Sequence, residues 1–290
     1  MRYAIVVNPV SGKRQGEKIG VRSAQRLVEA GHEAVVVSGP DAAGTRDALQ
    51  VELKSGVDAV LVVGGDGALH ELLSLLAHTG LPVGMLPAGT GNDLARSLGL
   101  DSKDPDAALD VVLRGATRTI DLAQVDGRLV ATVVASGFDS KVNERANAMR
   151  WPRGNMRYNL AIVAELRSFE PLEFTLTLDT GERLTRRAML AAVGNGPSFG
   201  GGLRLCEGAV MDDGLLDLVV INPVSKLKLL RVFPTLYRGT HTSLPEFERF
   251  LVRSVTLDSP GIVAYGDGER LGPLPQTVTI RPAALTVYVP

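Results

Sequence analysis

Over the first 120 positions, short apolar runs alternate with longer stretches in which apolar residues recur every three or four positions. Residues 4–7, 34–37, 59–63 and 82–86 are runs of almost purely apolar character, the pattern of strands buried on both faces. Residues 19–30, 46–54, 69–77 and 106–113 have helical spacing. This alternation predicts a parallel sheet with helices on both faces. Such sheets bind ligands at the carboxyl ends of their strands. The turns that begin at Asn8, Gly64 and Gly89 all sit at strand ends, so they share one edge.

Beyond about residue 120 the pattern changes. Residues 131–134, 174–178, 189–193, 216–221, 255–257, 278–280 and 285–289 read as strands joined by Gly, Pro and Asp turns, and only 140–150, 159–166 and 224–237 read as helices. The expected fold is therefore α/β. A doubly wound parallel-sheet nucleotide-binding domain over residues 1–122 is followed by a mostly antiparallel β-sandwich domain over 123–290, with a cleft between them.

Composition narrows the function classes. The 290 residues carry a formal charge of −1, so nothing points to a nucleic-acid partner. The single cysteine, Cys206, permits no internal disulfide and no cysteine-rich metal site, as expected for a reducing compartment. No apolar run approaches the ~18 residues of a membrane span, and the N-terminal run is too short for a signal peptide. The expected location is the cytoplasm.

The Gly64-Gly65-Asp66-Gly67 run offers the clearest chemistry. It lies between a buried strand and a helix, where exposed backbone N–H groups and the helix N-terminus favour a phosphate. Glycine lets that backbone approach closely. Asp66 is poorly suited to touch phosphate but suited to hold a Mg²⁺ that does; the plainer alternative is a tight turn with Asp66 as a helix cap. Gly12-Lys13 lacks the pattern of a P-loop, and Gly89-Thr90-Gly91 lacks the third glycine of a dinucleotide fingerprint. Asn92-Asp93 reads equally as a cap or a ligand contact. Asp212-Asp213-Gly214 and Asp267-Gly268-Glu269 read as hairpin turns or as acidic sites. The glycine-rich stretch 194–202 is either a long loop or a backbone that wraps closely around a ligand or a partner turn. Trp151 and Tyr158 among Arg150, Arg153 and Arg157 suit an anionic membrane interface, against the alternative that Trp151 is tucked into the core.

In this order, Asn8-Pro9-Val10-Ser11-Gly12, Gly64-Gly65-Asp66-Gly67, Gly89-Thr90-Gly91-Asn92-Asp93, Gly137-Phe138-Asp139, Asn195 with Gly200-Gly201-Gly202, Asp212-Asp213-Gly214 and Asp267-Gly268-Glu269 resemble the diacylglycerol kinase catalytic family, particularly the bacterial lipid kinases. The resemblance spans nearly the whole chain and implies ATP-dependent phosphorylation of a lipid hydroxyl. It implies nucleotide contacts at Asn8, Pro9, Val10, Ser11 and Gly12, at Ser38, at Gly64, Gly65, Asp66, Gly67, Ala68, Leu69 and His70, and at Thr90. It implies a structural Mg²⁺ on the Asp213 carboxylate and the carbonyls of Val210 and Leu215. It places the catalytic base in the 267–269 turn, with Asp267 preferred and Glu269 in support. Ala68 stands where the family usually has Thr, and His70 replaces a common Asn. The expected partner is a lipid substrate met peripherally at the membrane surface. The acceptor could be diacylglycerol, phosphatidylglycerol, a sphingoid base or an isoprenoid alcohol. The oligomeric state stays open, a homodimer included. Two other readings stand beside this one: an NAD kinase-like enzyme, and a catalytically inactive nucleotide-binding regulator.

Overall fold

The computed structural model describes residues 1–7, 15–149, 151 and 155–290. The first unit runs β1 (Arg2–Val7), α1 (Gln15–Glu29), β2 (Glu33–Val37), α2 (Ala42–Lys54), β3 (Ala59–Gly64), α3 (Asp66–His70), α4 (Leu73–Leu76), β4 (Val83–Pro87), α5 (Asp93–Ser97) and α6 (Pro105–Arg114). Strands β2, β1, β3 and β4 pair in that order and all in parallel. Every residue of β3 and β4 is buried, which is why these strands read as continuous apolar runs. Local chemistry sets helix ends. The Asp104 carboxylate accepts from the N–H groups of Asp106 and Ala107, Pro105 opens α6, and Gly115 closes it at φ 79°.

The helix expected over 69–77 forms differently. It begins at Asp66 and breaks between α3 and α4. The Arg46 guanidinium, reaching from α2, donates to the Glu71 carbonyl at 2.9 Å and to Ser74 Oγ at 2.8 Å. Leu72 and Leu75 then bond back three residues rather than four, to Leu69 and Leu72, which tightens the helix at that point.

The second unit follows as β5 (Thr117–Val125), β6 (Arg128–Val130), β7 (Val133–Gly137), α7 (Phe138–Ala148), α8 (Asn155–Ser168), β8 (Leu172–Leu178), β9 (Arg183–Ala188), β10 (Leu190–Gly194), β11 (Leu216–Ile221), α9 (Lys226–Arg238), β12 (Phe247–Val252), β13 (Ser254–Asp258), β14 (Val263–Gly266), β15 (Glu269–Pro273) and β16 (Gln276–Tyr288). Six strands form an antiparallel sheet in the order β12-β11-β10-β7-β14-β15. Its inner face packs on β5, β8, β13 and β16, and buried Phe174, Leu176, Val255 and Val278 meet Val134, Val193, Leu218 and Ala264 in one sandwich core.

The larger sheet runs through both units. β16 pairs with β13 and β5, and its far end reaches β4 in parallel at Val287 and Val83. The two strands expected at 278–280 and 285–289 are thus one strand, bulged between Arg281 and Leu285. Residues 122 and 123, between which the sequence divides the chain, are consecutive in β5. That strand, like β9 and β12, has no counterpart in the sequence reading, whereas β14 and β15 form a hairpin around the 267–269 turn.

Candidate active site

The carboxyl ends of β3 and β4 are neighbours in the sheet, so their glycine turns meet. Gly64 O accepts from Ala88 N–H at 2.9 Å. A Cβ at Gly65 would lie 3.1 Å from the Gly89 Cα, and one at Gly89 only 2.5 Å from the Gly65 Cα. The two backbones therefore touch at a distance that glycine permits. Asn92 braces the second turn: its Oδ1 accepts from Gly89 N–H and its Nδ2 donates to the carbonyls of Gly89 and Ser102. It does so at φ 57°, in the left-handed region that Asn tolerates. Ser38 and Thr90 are exposed at the ends of β2 and β4, on the same edge. The Asn8–Gly12 turn lies outside the described residues.

Asp66 is only partly exposed on this turn, and its carboxylate is engaged. Its Oδ2 accepts from Asp93 N–H at 2.9 Å and its Oδ1 from Leu94 N–H at 3.0 Å. The first amides of α5 lack partners within the helix, and this carboxylate satisfies two of them across the turn. Burial pushes the Asp66 carboxyl up from its ordinary 3.8 to about 6, against the opposing pull of those two amides. A carboxyl raised in the folded state favours folding most when protonated. Its contribution is full below about pH 4 and is lost as pH rises through about 6, a swing of about 3 kcal/mol. Urea unfolding at stepped pH should show this decline in the wild type and a flatter profile in Asp66→Asn; parallel profiles would contradict the assignment.

Asp93 continues the connection. Its Oδ2 accepts from Gly201 N–H at 2.8 Å and its Oδ1 from Gly202 N–H at 2.7 Å, with Arg96 Nη1 3.1 Å away. Burial raises its carboxyl above the usual range, and the Gly201 amide, Arg96 and the Gly202 amide offset this only in part. The glycine-rich stretch of the second unit thus wraps a partner turn of the first. Asp66, Asp93 and Gly201–Gly202 link the glycine turn to the second unit through carboxylate–amide bonds. Arg96, which also donates to the Gly91 carbonyl, carries a positive charge at this junction that the sequence reading missed. Its signal was the three-residue spacing from Asp93, which aligns opposite charges on one helix face.

The other wall is the turn between β14 and β15. Asp267 is a buried anchor: Ala131 N–H donates to its Oδ2 at 2.7 Å, and Thr132 N–H and Oγ1–H donate to its Oδ1 at 2.9 and 2.6 Å. Glu269 is exposed, and its Oε1 lies 3.2 Å from where a Gly67 Cβ would be. The sequence reading places Asp267 first, with Glu269 in support. The buried carboxylate already holds three donors, while the exposed one faces the glycine turn. His70, on α3, points Nδ1 at Asp267 Oδ2 from 3.5 Å. Burial would lower its pKa, but Asp267, Glu269 and Glu71 outweigh burial and raise it above 6.5.

Comparison with known proteins bears on this arrangement. The family model described as the diacylglycerol kinase catalytic domain matches residues 2–125, and the YegS C-terminal NAD kinase beta sandwich-like domain matches residues 132–289. A diacylglycerol kinase of Mycobacterium tuberculosis is 44% identical over 100% of this chain and 95% of its own length. The chain belongs to the diacylglycerol kinase catalytic family. A crystal structure of a diacylglycerol kinase from Bacillus anthracis shares the fold, with a TM-score of 0.74 at 18% identity over 100% of this chain and 97% of that one. Yeast NADH kinase is a more distant fold relative, with a TM-score of 0.53 at 13% identity, over 100% of this chain and 83% of its own.

The remaining residues that the family resemblance singled out divide by burial. Leu69 is 1% exposed and belongs to the core of the first unit. Ala68 is buried beside it. The 210–215 turn is secured by buried Asp121, whose Oδ2 accepts from Gly214 N–H, whose Oδ1 accepts from Ala283 N–H and whose N–H donates to the Met211 carbonyl. Buried Asn195 donates to the carbonyls of Asp121 and Ala131, so one network spans this turn and the strand leading to the Asp267 contacts. The Asp213 carboxylate is exposed, and its Oδ1 accepts from Leu215 N–H at 3.0 Å. Among the described residues no three His, Cys, Asp or Glu side chains cluster in a way suited to a metal. A set of one carboxylate with the Val210 and Leu215 carbonyls is compatible only with a hard cation such as Mg²⁺ that keeps several waters. Trp151 is 78% exposed, not tucked into the core.

Proposed function

We propose that this kinase transfers the γ-phosphate of ATP to the hydroxyl of diacylglycerol or a related lipid, giving a phospholipid such as phosphatidic acid. The observation that carries the reading is the exposed Glu269 carboxylate facing Gly67 of the glycine turn. Phosphoryl transfer needs positioned phosphates and a group that orients or deprotonates the nucleophile. In this reading the N–H groups of the 64–67 turn hold the phosphates, with Ser38 and Thr90 along the same edge. Glu269 takes the proton of the lipid hydroxyl, while Asp267 and Asp66 position the two walls. Mg²⁺ supplies charge neutralisation on the phosphates, and a structural Mg²⁺ would sit on the Asp213 turn.

The lipid would be met at a membrane surface. No helix among the described residues is long and apolar enough to cross a membrane. Exposed Met156, Leu160 and Val163 recur at helical spacing along α8, near exposed Trp151. Such a stripe suits shallow contact with an interface.

The test is transfer of labelled γ-phosphate from ATP into a panel of diacylglycerol, phosphatidylglycerol, a sphingoid base and an isoprenoid alcohol, with NAD⁺ as a competing acceptor. Label is expected in a lipid, with diacylglycerol the leading candidate. Label in NAD⁺ alone, or in none of the acceptors, would overturn the proposal.

A further inference from the structure

We infer that His70 is a protonation-dependent latch between the two units, closing α3 onto the Asp267 turn and thereby strengthening nucleotide binding at the adjacent glycine turn. The affinity half of this inference rests on the kinase reading, whereas the latch itself does not.

The geometry carries it. His70 lies on the five-residue α3, directly after the glycine turn, so its backbone is fixed to the first unit. Asp267 is fixed to the second unit by the Ala131 and Thr132 donors. The 3.5 Å gap between Nδ1 and Oδ2 therefore measures the separation of the two walls, since neither side chain is free to wander: they are 11% and 2% exposed. Nδ1 is buried and lacks a hydrogen-bond partner. An orphaned nitrogen facing a carboxylate oxygen, slightly beyond good bonding distance, is a contact poised to shorten. A charged imidazolium makes the stronger, shorter bond. Shortening it would draw Glu269 further over Gly67.

The charges around the ring favour the protonated state. Asp267 and Glu269 face it from the second unit, Glu71 follows it in sequence, and β3, on which α3 packs, contributes only apolar residues and glycine. Asp66, one turn earlier on α3, also feels the Asp267 charge. Asn at this position would bridge the gap but would not titrate. The dependence is thus a property of this chain's histidine. The sign follows directly: affinity is highest where His70 is protonated and falls as pH rises through its raised pKa.

Two measurements test this. The first follows the imidazole resonances of the full-length protein by NMR from pH 5 to 9, with His70→Asn identifying the signal. A midpoint above 6.5 is expected, and a midpoint at or below 6.5 would overturn the latch. The second measures binding of a non-hydrolysable ATP analogue with Mg²⁺, without lipid, across the same range. Wild-type affinity should fall on the order of tenfold, within the usual range of coupling between two sites, relative to His70→Asn, which corrects for the nucleotide's own ionisation. Superimposable profiles would overturn the link to affinity. If neither protein binds nucleotide at any pH, the kinase reading and the affinity link both fall, and the imidazole midpoint alone decides the latch.

Discussion

Glu269→Gln is expected to lower turnover by ~10²–10⁴, the range for loss of a general base. Gln has nearly the same shape and keeps an acceptor oxygen, but it does not take a proton at neutral pH. Affinity for nucleotide should stay near the wild-type value, because in the proposed reading backbone N–H groups of the 64–67 turn, and not this side chain, hold the phosphates. The melting temperature should also hold, since Glu269 is exposed and surface substitutions away from caps and networks change stability by only about 0.5 kcal/mol. Measuring kcat and the nucleotide KM separately distinguishes loss of the chemical step from loss of binding. Normal turnover in this variant would remove Glu269 from the base role.

Asp267→Ala should act first on the fold. It leaves two buried amides and one hydroxyl without their acceptor. Each buried group left unpaired costs about 1–3 kcal/mol, although the Thr132 hydroxyl can turn to another partner. A loss of about 3 kcal/mol corresponds to a drop in melting temperature of roughly 6–12 °C for a protein of this size. Asp267→Asn should lose much less, since Asn retains an acceptor oxygen and tolerates the φ of 51° at this position. A thermal melt of both variants beside the wild type checks the assignment. If Asp267→Ala melts like the wild type while its turnover collapses, Asp267 is the base and not an anchor.

These two substitutions separate residues that are two positions apart and that look equivalent as letters. In the sequence, Asp267 and Glu269 are two acids around a turn glycine. The β14–β15 hairpin buries one and exposes the other because Asp267 takes the left-handed conformation and turns its carboxylate toward the amides of 131–132, more than 130 residues earlier. No local pattern records that contact. The same holds for Asp66. A Gly-Gly-Asp-Gly turn at a strand end is legible from spacing, but the cross-turn bonds to Asp93 and Leu94 exist only because β3 and β4 are adjacent in the sheet.

Sequence by itself determined the elements that local chemistry controls. Unbroken apolar runs marked β1, β3 and β4, because strands buried on both faces need apolar side chains at every position. Helical spacing marked α6, and the ordered glycine and acidic turns marked the family. Tertiary structure decided what depends on distant partners. β5 was invisible because its first residues alternate weakly and its ladder is completed by β16, from the far end of the chain. The break after α3 is bonded by Arg46 from another helix. The 3.5 Å approach of His70 to Asp267 required two units held together by Asp93 and the Gly201 and Gly202 amides. In each case the deciding interaction is a hydrogen bond or ion pair across large sequence separation, whose strength depends on burial and geometry that only the assembled chain provides.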